Sequence, residues 1–268
     1  MNKNKKRLVR WIIIFIATAI VVALSVNLGI KLSEYANDKD NKEQQLNHNE
    51  ETNDFKIEYK EETYKLENSD KKTVVENKRN LPIIKSDKYQ EQADKIVYYL
   101  TKISDKKWEE IKNASDDYQK SGLKDKVGIN YIIKTIDQTD KYFSFKLITS
   151  GSLGQISWDQ EEAYTFDPSK GTLLELDNIS SDVNGLKQFL FDGIKKYMLE
   201  QDYSEDLEKD YEVKIYQELD KVGNWYLDKD GLHFMFPRYT FGPGYIGIVK
   251  YNASYKDINN FLLEEYKK

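Results

Sequence analysis

Two histidines and no cysteine bound the side-chain chemistry available to this chain. Thiol nucleophiles, thiolate metal sites and disulfide frameworks are excluded, and any serine-triad or histidine-zinc mechanism has to run through His48 or His233. His48 lies in a charged stretch where solvation is the expected state. His233 sits in GLHFMF, on the face opposite Leu232, Phe234 and Phe236, where a surface or half-buried histidine is far commoner than a lone base or ligand. Neighbouring carboxylates occur at Asp159 with Glu161 and Glu162, and at Asp228 with Asp230. Glycoside hydrolysis needs one carboxyl in an apolar pocket facing another, whereas 46 acids in one chain produce such neighbours by chance. The D-K-D-G of residues 228–231 begins like a calcium loop but lacks the later ligands and the closing Glu, so it reads as a hairpin turn. No catalytic residue, metal or cofactor is expected.

One glycine motif asks for a separate decision. GPGYIG, residues 242–247, is a formal G-x-G-x-x-G after the strand-like run LHFMF. A dinucleotide site requires those glycines to open a helix inside a strand-helix-strand unit. Here IVKY follows, β-branched and alternating, and 21 residues remain after Gly247, too few for the unit and its ribose-binding acid. A Pro between two Gly is better suited to a turn that fixes one dihedral and frees its neighbours.

The elements that position these residues follow from periodicity. Five basic residues precede an uncharged run over residues 11–30, long enough to cross a membrane, with only Lys31 immediately beyond it. That pattern predicts a cytoplasmic tail over residues 1–10, a transmembrane signal anchor over 11–30 and an extracellular remainder; a cleaved signal peptide, with a poor cleavage site at Ala23-Leu24-Ser25, is the competing reading. Residues 31–54 form a charged linker without apolar periodicity. Because none of the 46 acids precedes Lys31, the exported part carries an excess of about ten acids. That charge and the presence of only four Arg argue against nucleic acid and favour encounter with cationic proteins.

Alternation at Phe55, Ile57 and Tyr59 predicts a strand, and TVVENKRNLPII a second. Asp87 with Gln90 resembles a capping box before a helix carrying Ala93, Ile96, Leu100 and Ile103, continuing through Trp108 to about Tyr118. VGINYIIKTIDQ, KYFSFKLITSG and QISWDQEEAYTFD predict an antiparallel meander packed on it. After the turn DPSKG come an amphipathic helix with Leu186, Leu190 and Ile194, a polar helical segment, and strands at NWYL, LHFMFPRYTF and YIGIVKY. A last helix is capped by Ser254 with Asp257. The expected fold is α+β: antiparallel sheets packed with helices in two consecutive subdomains, residues 55–166 and 167–268.

The run DKDGLHFMFPRYTFGPGYIGIVKY with its closing helix resembles the C-terminal domain of RsiV-type ectodomains. AYTFDPSKGTLLELDNIS, residues 163–180, is similar to that family's strand, Asp-containing turn and leucine-rich re-entry, and NLPIIKSDKYQEQADKIVYYL resembles the front of its companion N-terminal domain. The resemblance implies an extracytoplasmic module without catalytic residues, found in lysozyme-sensing anti-sigma factors and beside the catalytic domain of some peptidoglycan deacetylases. In lysozyme-binding relatives a proline-glycine-tyrosine loop meets the enzyme's substrate cleft, which the resemblance carries over to Pro243, Gly244 and Tyr245. Beside that tip, Tyr239, Phe241 and Trp158 are the expected flanking contacts. Neither a folded sigma-binding domain ahead of the apolar run nor a deacetylase domain is expected, and SGSLGQISW stands where the family has a histidine-containing turn.

The expectation is therefore a non-enzymatic, single-pass membrane protein whose ectodomain binds lysozyme or another cationic cell-wall hydrolase. A peptidoglycan- or glycan-binding accessory module and a truncated or accessory anti-sigma factor are the alternatives.

Overall fold

The computed structural model describes residues 54–120, 126–153 and 156–268, with the side chains of residues 153 and 156–158 outside that description. The apolar run 11–30 and the charged stretch to residue 53 also lie outside the described residues. Among the described residues no helix is long and apolar enough to cross a membrane.

The described strands form a six-stranded and a three-stranded sheet. In the first, β1 (Phe55–Glu67) and β2 (Thr73–Ser86) make a long antiparallel hairpin. Helix α1 (Gln90–Lys120) then crosses back, and β3 (Val127–Gln138), β4 (Phe143–Leu153) and β5 (Ile156–Asp167) form the meander expected from alternation. A two-residue strand, β6 (Thr172–Leu173), adds at the far edge. The fold is thus mixed α+β and rich in antiparallel pairs, with one departure from the expected pattern: β2 and β3 run parallel.

That parallel junction is held by side chains as well as by the backbone ladder. Asn80 acts as a surrogate peptide, its Oδ1 accepting from Ile133 N at 2.6 Å while its Nδ2 donates to Ile133 O at 3.0 Å. Asn77 Oδ1 accepts from Ile129 N at 3.0 Å, and its Nδ2 donates to Ser115 Oγ of α1 at 2.8 Å. Both asparagines are buried, so each unmade bond would leave a desolvated polar group. Ahead of α1, Ser86 takes the part expected of Asp87: Ser86 Oγ accepts from Tyr89 N at 2.8 Å, and Gln90 Oε1 accepts from Ser86 N at 2.9 Å, while Tyr89 O accepts the first helical bond, from Ala93 N at 2.9 Å. Both amides of the lead-in turn are satisfied by that exchange.

Period two divides the faces of the large sheet. Phe143, Phe145, Leu147 and Phe166 pack with Ala93, Ile96 and Leu100 of α1. The alternate residues Ser144, Ala163 and Thr165 meet the second half of the chain, which therefore lies on the face away from α1.

The second half contains α2 (Leu176–Ile179), α3 (Val183–Leu199), α4 (Tyr211–Leu219), β7 (Trp225–Leu227), β8 (Gly231–Phe236), β9 (Val249–Ser254) and α5 (Tyr255–Ile258). Asp182 caps α3 by accepting from Gly185 N at 2.9 Å. Leu186, Leu190, Ile194 and Met198, at helical spacing, bury against Leu232, Phe234 and Phe236 of β8. The two sheets are joined directly. Ser144 Oγ donates to Leu227 O at 2.6 Å, Leu227 N donates to Thr165 Oγ1 at 3.2 Å, and Ala163 N donates to Gly223 O at 2.8 Å.

Candidate functional site

The β8–β9 connection, residues 237–248, is where backbone conformation and exposed aromatic surface coincide. Aromatic alternation suggests that β8 continues to Phe241, but it stops at Phe236. Pro237 has no amide to donate to a ladder. Its carbonyl instead accepts from both Thr240 N (3.2 Å) and Thr240 Oγ1 (2.6 Å), closing a turn. Inside that turn Tyr239 has φ +67°, a left-handed conformation that a bulky side chain adopts at a cost and only when its surroundings impose it.

Gly244 shows what imposes it. A Cβ on Gly244 would lie 2.4 Å from Tyr239 Cζ and Oη, so the hydroxyl end of the ring packs against bare backbone. Gly242 is similarly tight, with the Asp206 carbonyl oxygen 2.7 Å from where its Cβ would stand, and Glu208 N donates to Phe241 O at 2.8 Å. The segment around residues 203–208 thus braces the loop from one side. Arg238 braces it from the other: Nη2 bonds Asp159 Oδ1 of β5 at 2.7 Å, and Nη1 reaches the Gly244 carbonyl at 3.4 Å. Pro243 opens a single 3₁₀ turn over Gly244–Ile246, in which Ile246 N donates to Pro243 O and Gly247 N to Gly244 O.

The candidate residues separate accordingly. Pro243 and Tyr245 face outward, Tyr245 at 49% exposure, while Gly244 is buried beneath the half-buried Tyr239. A hydrogen bond to the Asp206 carboxylate holds the Tyr245 phenol above its ordinary pKa. Phe241 corrects the expectation of a flanking contact: it is 2% exposed, with its ring edge-on to Phe236 at 5.1 Å, and serves as the loop's apolar root. Trp158 pairs with Gly151 across β5 and β4, and its side chain lies outside the described residues. Arg238, Asp159 and Asp206 complete the site without any sequence signal, because their partners lie far away in the chain.

The other candidates resolve into structural roles. The glycines of 242–247 lead through one 3₁₀ turn into β9, and no helix opens there. Asp159 is paired with Arg238, Glu161 with Lys146 (3.1 Å) and Lys250 (2.9 Å), and Glu162 accepts from Tyr164 Oη at 3.1 Å. Each of these carboxylates has its own donor. His233 Nε2 lies 2.7 Å from Asp228 Oδ1, and its ring stacks on Tyr226 at 4.7 Å. Asp228 also accepts from the amides of Asp230 and Gly231, which is the hairpin turn expected of D-K-D-G. Burial alone would raise the Asp228 pKa, but these bonds outweigh it and hold the carboxyl below its ordinary value. Among the described residues no cluster of His, Asp and Glu is arranged to hold a metal ion.

Residues 177–256 match the model of a family described as a protein of unknown function, DUF3298. A DUF3298 domain therefore occupies the chain from α2 to the start of α5 and contains the whole β8–β9 loop. No match was found among curated proteins. The fold is similar to the crystal structure of a DUF3298 family member from Bacteroides fragilis, with a TM-score of 0.56 over 79% of this chain and 94% of that one at 13% identity. A DUF3298 family protein from Pseudomonas aeruginosa is similar at a TM-score of 0.47 and 12% identity, covering 80% of this chain and 95% of that one. At 13% identity the first of these speaks to the fold alone.

Proposed function

We propose that this chain is a membrane-anchored, extracytoplasmic binding protein that presents the β8–β9 loop to lysozyme or a related cationic muramidase. The observation that carries this reading is the asymmetry of the loop: Tyr239, Phe241 and Gly244 are committed to holding it, while Tyr245 stands half-exposed at its tip. An aromatic ring on a braced backbone loses little entropy when it enters a partner's cleft, and such anchors dominate interface energies. The RsiV-type resemblance falls on this same segment, and the excess of acids matches a basic partner. Anchoring rests on the apolar run 11–30, with the basic residues before it setting the orientation.

The test is binding of the full chain, in detergent or nanodiscs, to purified lysozyme. Tyr245→Ala is expected to weaken it by about 2 kcal/mol, roughly thirtyfold, and Tyr245→Phe by much less. Equal affinity for wild type and Tyr245→Ala contradicts the placement of the anchor. Capture of the chain by purified peptidoglycan without any affinity for lysozyme contradicts the choice of ligand.

A further inference from the structure

Away from the loop, a groove of about 500 Å³ opens between the first turns of α1 and the edge strand β6. Gly171 lines one end of it. That residue has φ +69°, and a Cβ there would lie 2.7 Å from Gln92 O, so the turn before β6 presses directly onto the helix backbone. Tyr98, Tyr99 and Leu173 supply apolar walls, and Glu91, Asp94 and Lys95 bring the charges.

Tyr98 is the most exposed large apolar side chain among the described residues, at 69%. Other tyrosines of this molecule carry an ammonium over the ring: Lys88 over Tyr89 at 4.6 Å, Lys268 over Tyr255 at 4.7 Å and Lys146 over Tyr226 at 5.4 Å. Tyr98 has no such partner among the described residues. Glu91, Asp94 and Glu175 stand against Lys95 and Lys102, which leaves a single negative charge in excess around it. Lys95 is neutralised by Glu91 at 2.8 Å, and among the described residues Asp94 receives only the neutral amide of Gln90, at 2.7 Å. Acids early in a helix also offset its dipole, but Glu175 adds negative charge from outside the helix. Burial raises the Tyr99 phenol, and the nearby Glu175 carboxylate raises it further.

We infer that this groove binds a cationic side chain, an arginine or lysine of a partner protein, with the cation over the Tyr98 ring and paired to Asp94. Such a site combines an aromatic face with a carboxylate one helical turn away, the arrangement that attracts guanidinium and ammonium groups. It goes beyond the loop reading and does not depend on it, because no residue is shared between the two.

The absence of cysteine allows a single reporter to be placed. Lys102→Cys, exposed one turn along α1 from Tyr98, carries an environment-sensitive dye in the full-length chain, and Lys196→Cys on α3 serves as the distant control. N-acetyl-arginine amide is expected to give a saturable change at Lys102→Cys and none at Lys196→Cys. Its neutral isostere N-acetyl-citrulline amide is expected to give none at either position. Tyr98→Ala and Asp94→Asn, both exposed changes, are each expected to weaken the arginine response at least tenfold with unchanged thermal unfolding. Equal responses to citrulline and arginine, or an arginine response that survives both substitutions, overturn the inference. A response to chitotriose in place of arginine also overturns it, making the groove a glycan site. Loss of lysozyme binding in Tyr245→Ala has no bearing on these outcomes.

Discussion

The three-stranded sheet has two hairpin connections, and they solve the same problem in different ways. The β7–β8 connection is short and self-sufficient: Asp228 accepts from two amides within the turn, and His233 five residues on completes the set. The β8–β9 connection spends twelve residues where a few would suffice, yet it is not left loose. It draws on Asp159 of the other sheet, on Asp206 packed against Gly242, on the Glu208 amide, and on the hydrophobic core beneath Phe241. A long loop that is braced from several elements and still exposes an aromatic ring is what the proposed presentation of Tyr245 requires, whereas the short turn reverses the chain with its own residues.

The largest expected effect comes from cutting the long loop at its root. Phe241→Ala removes a ring buried at 2% exposure and is expected to cost about 3–5 kcal/mol of unfolding free energy, read from denaturant unfolding. Lys229→Ala in the short turn is expected to change it by less than about 0.5 kcal/mol. Similar costs for the two would erase the contrast between the connections.

Next in size is Arg238→Ala, which strips the partner from Asp159 and frees the Gly244 carbonyl. Asp159 keeps part of its exposure to water, so the stability loss should be modest, about 1–2 kcal/mol. Its signature is local: limited proteolysis should cut within residues 237–248 in the variant and not in wild type.

Gly244→Ala sharpens the contrast in another way. The added methyl meets the Tyr239 ring, so Tyr239 must leave its left-handed conformation or the 3₁₀ turn must open. The expected result is a destabilisation of about 1–2 kcal/mol together with a loss of lysozyme affinity comparable to that of Tyr245→Ala. Stability loss with unchanged affinity would show that the ring and the glycine do not set the tip.

The smallest effect belongs to the short turn and is read through pH. Because the Asp228 carboxyl is held below its ordinary pKa in the folded chain, its stabilisation is complete above the unfolded value and is lost as pH falls through the folded one. Asp228→Asn should therefore flatten the dependence of melting temperature on pH between roughly pH 5 and 2. An unaltered acid slope would mean that the turn is not held by that charge.

How much of this was legible in the sequence depends on whether the controlling interaction is local. The meander β3–β5 and helix α1 announce themselves through periods of two and of three to four, and D-K-D-G encodes its own turn. The parallel junction does not, since Asn77 and Asn80 in an otherwise apolar stretch give no hint that they bond to Ile129 and Ile133, more than fifty residues on. Ahead of α1 it is Ser86, and not Asp87, that exchanges bonds with the helix start, a choice that depends on where β2 ends. In the loop, Pro243 and Tyr245 were legible as a turn with an aromatic tip. Phe241 and Tyr245 look alike as residue types, and only the packing against Phe236 separates root from tip. The Arg238–Asp159 brace spans 79 residues and leaves no local trace.

The central claim is that the β8–β9 loop is rigid before any partner arrives. Hydrogen exchange of the free, full-length chain tests it at the amides of Thr240, Ile246 and Gly247, each of which donates within the loop. Protection within about tenfold of the amides in β8 and β9 is predicted. Exchange at the rate of an unstructured peptide would contradict the account, leaving Tyr245 on a loop that orders only when it binds.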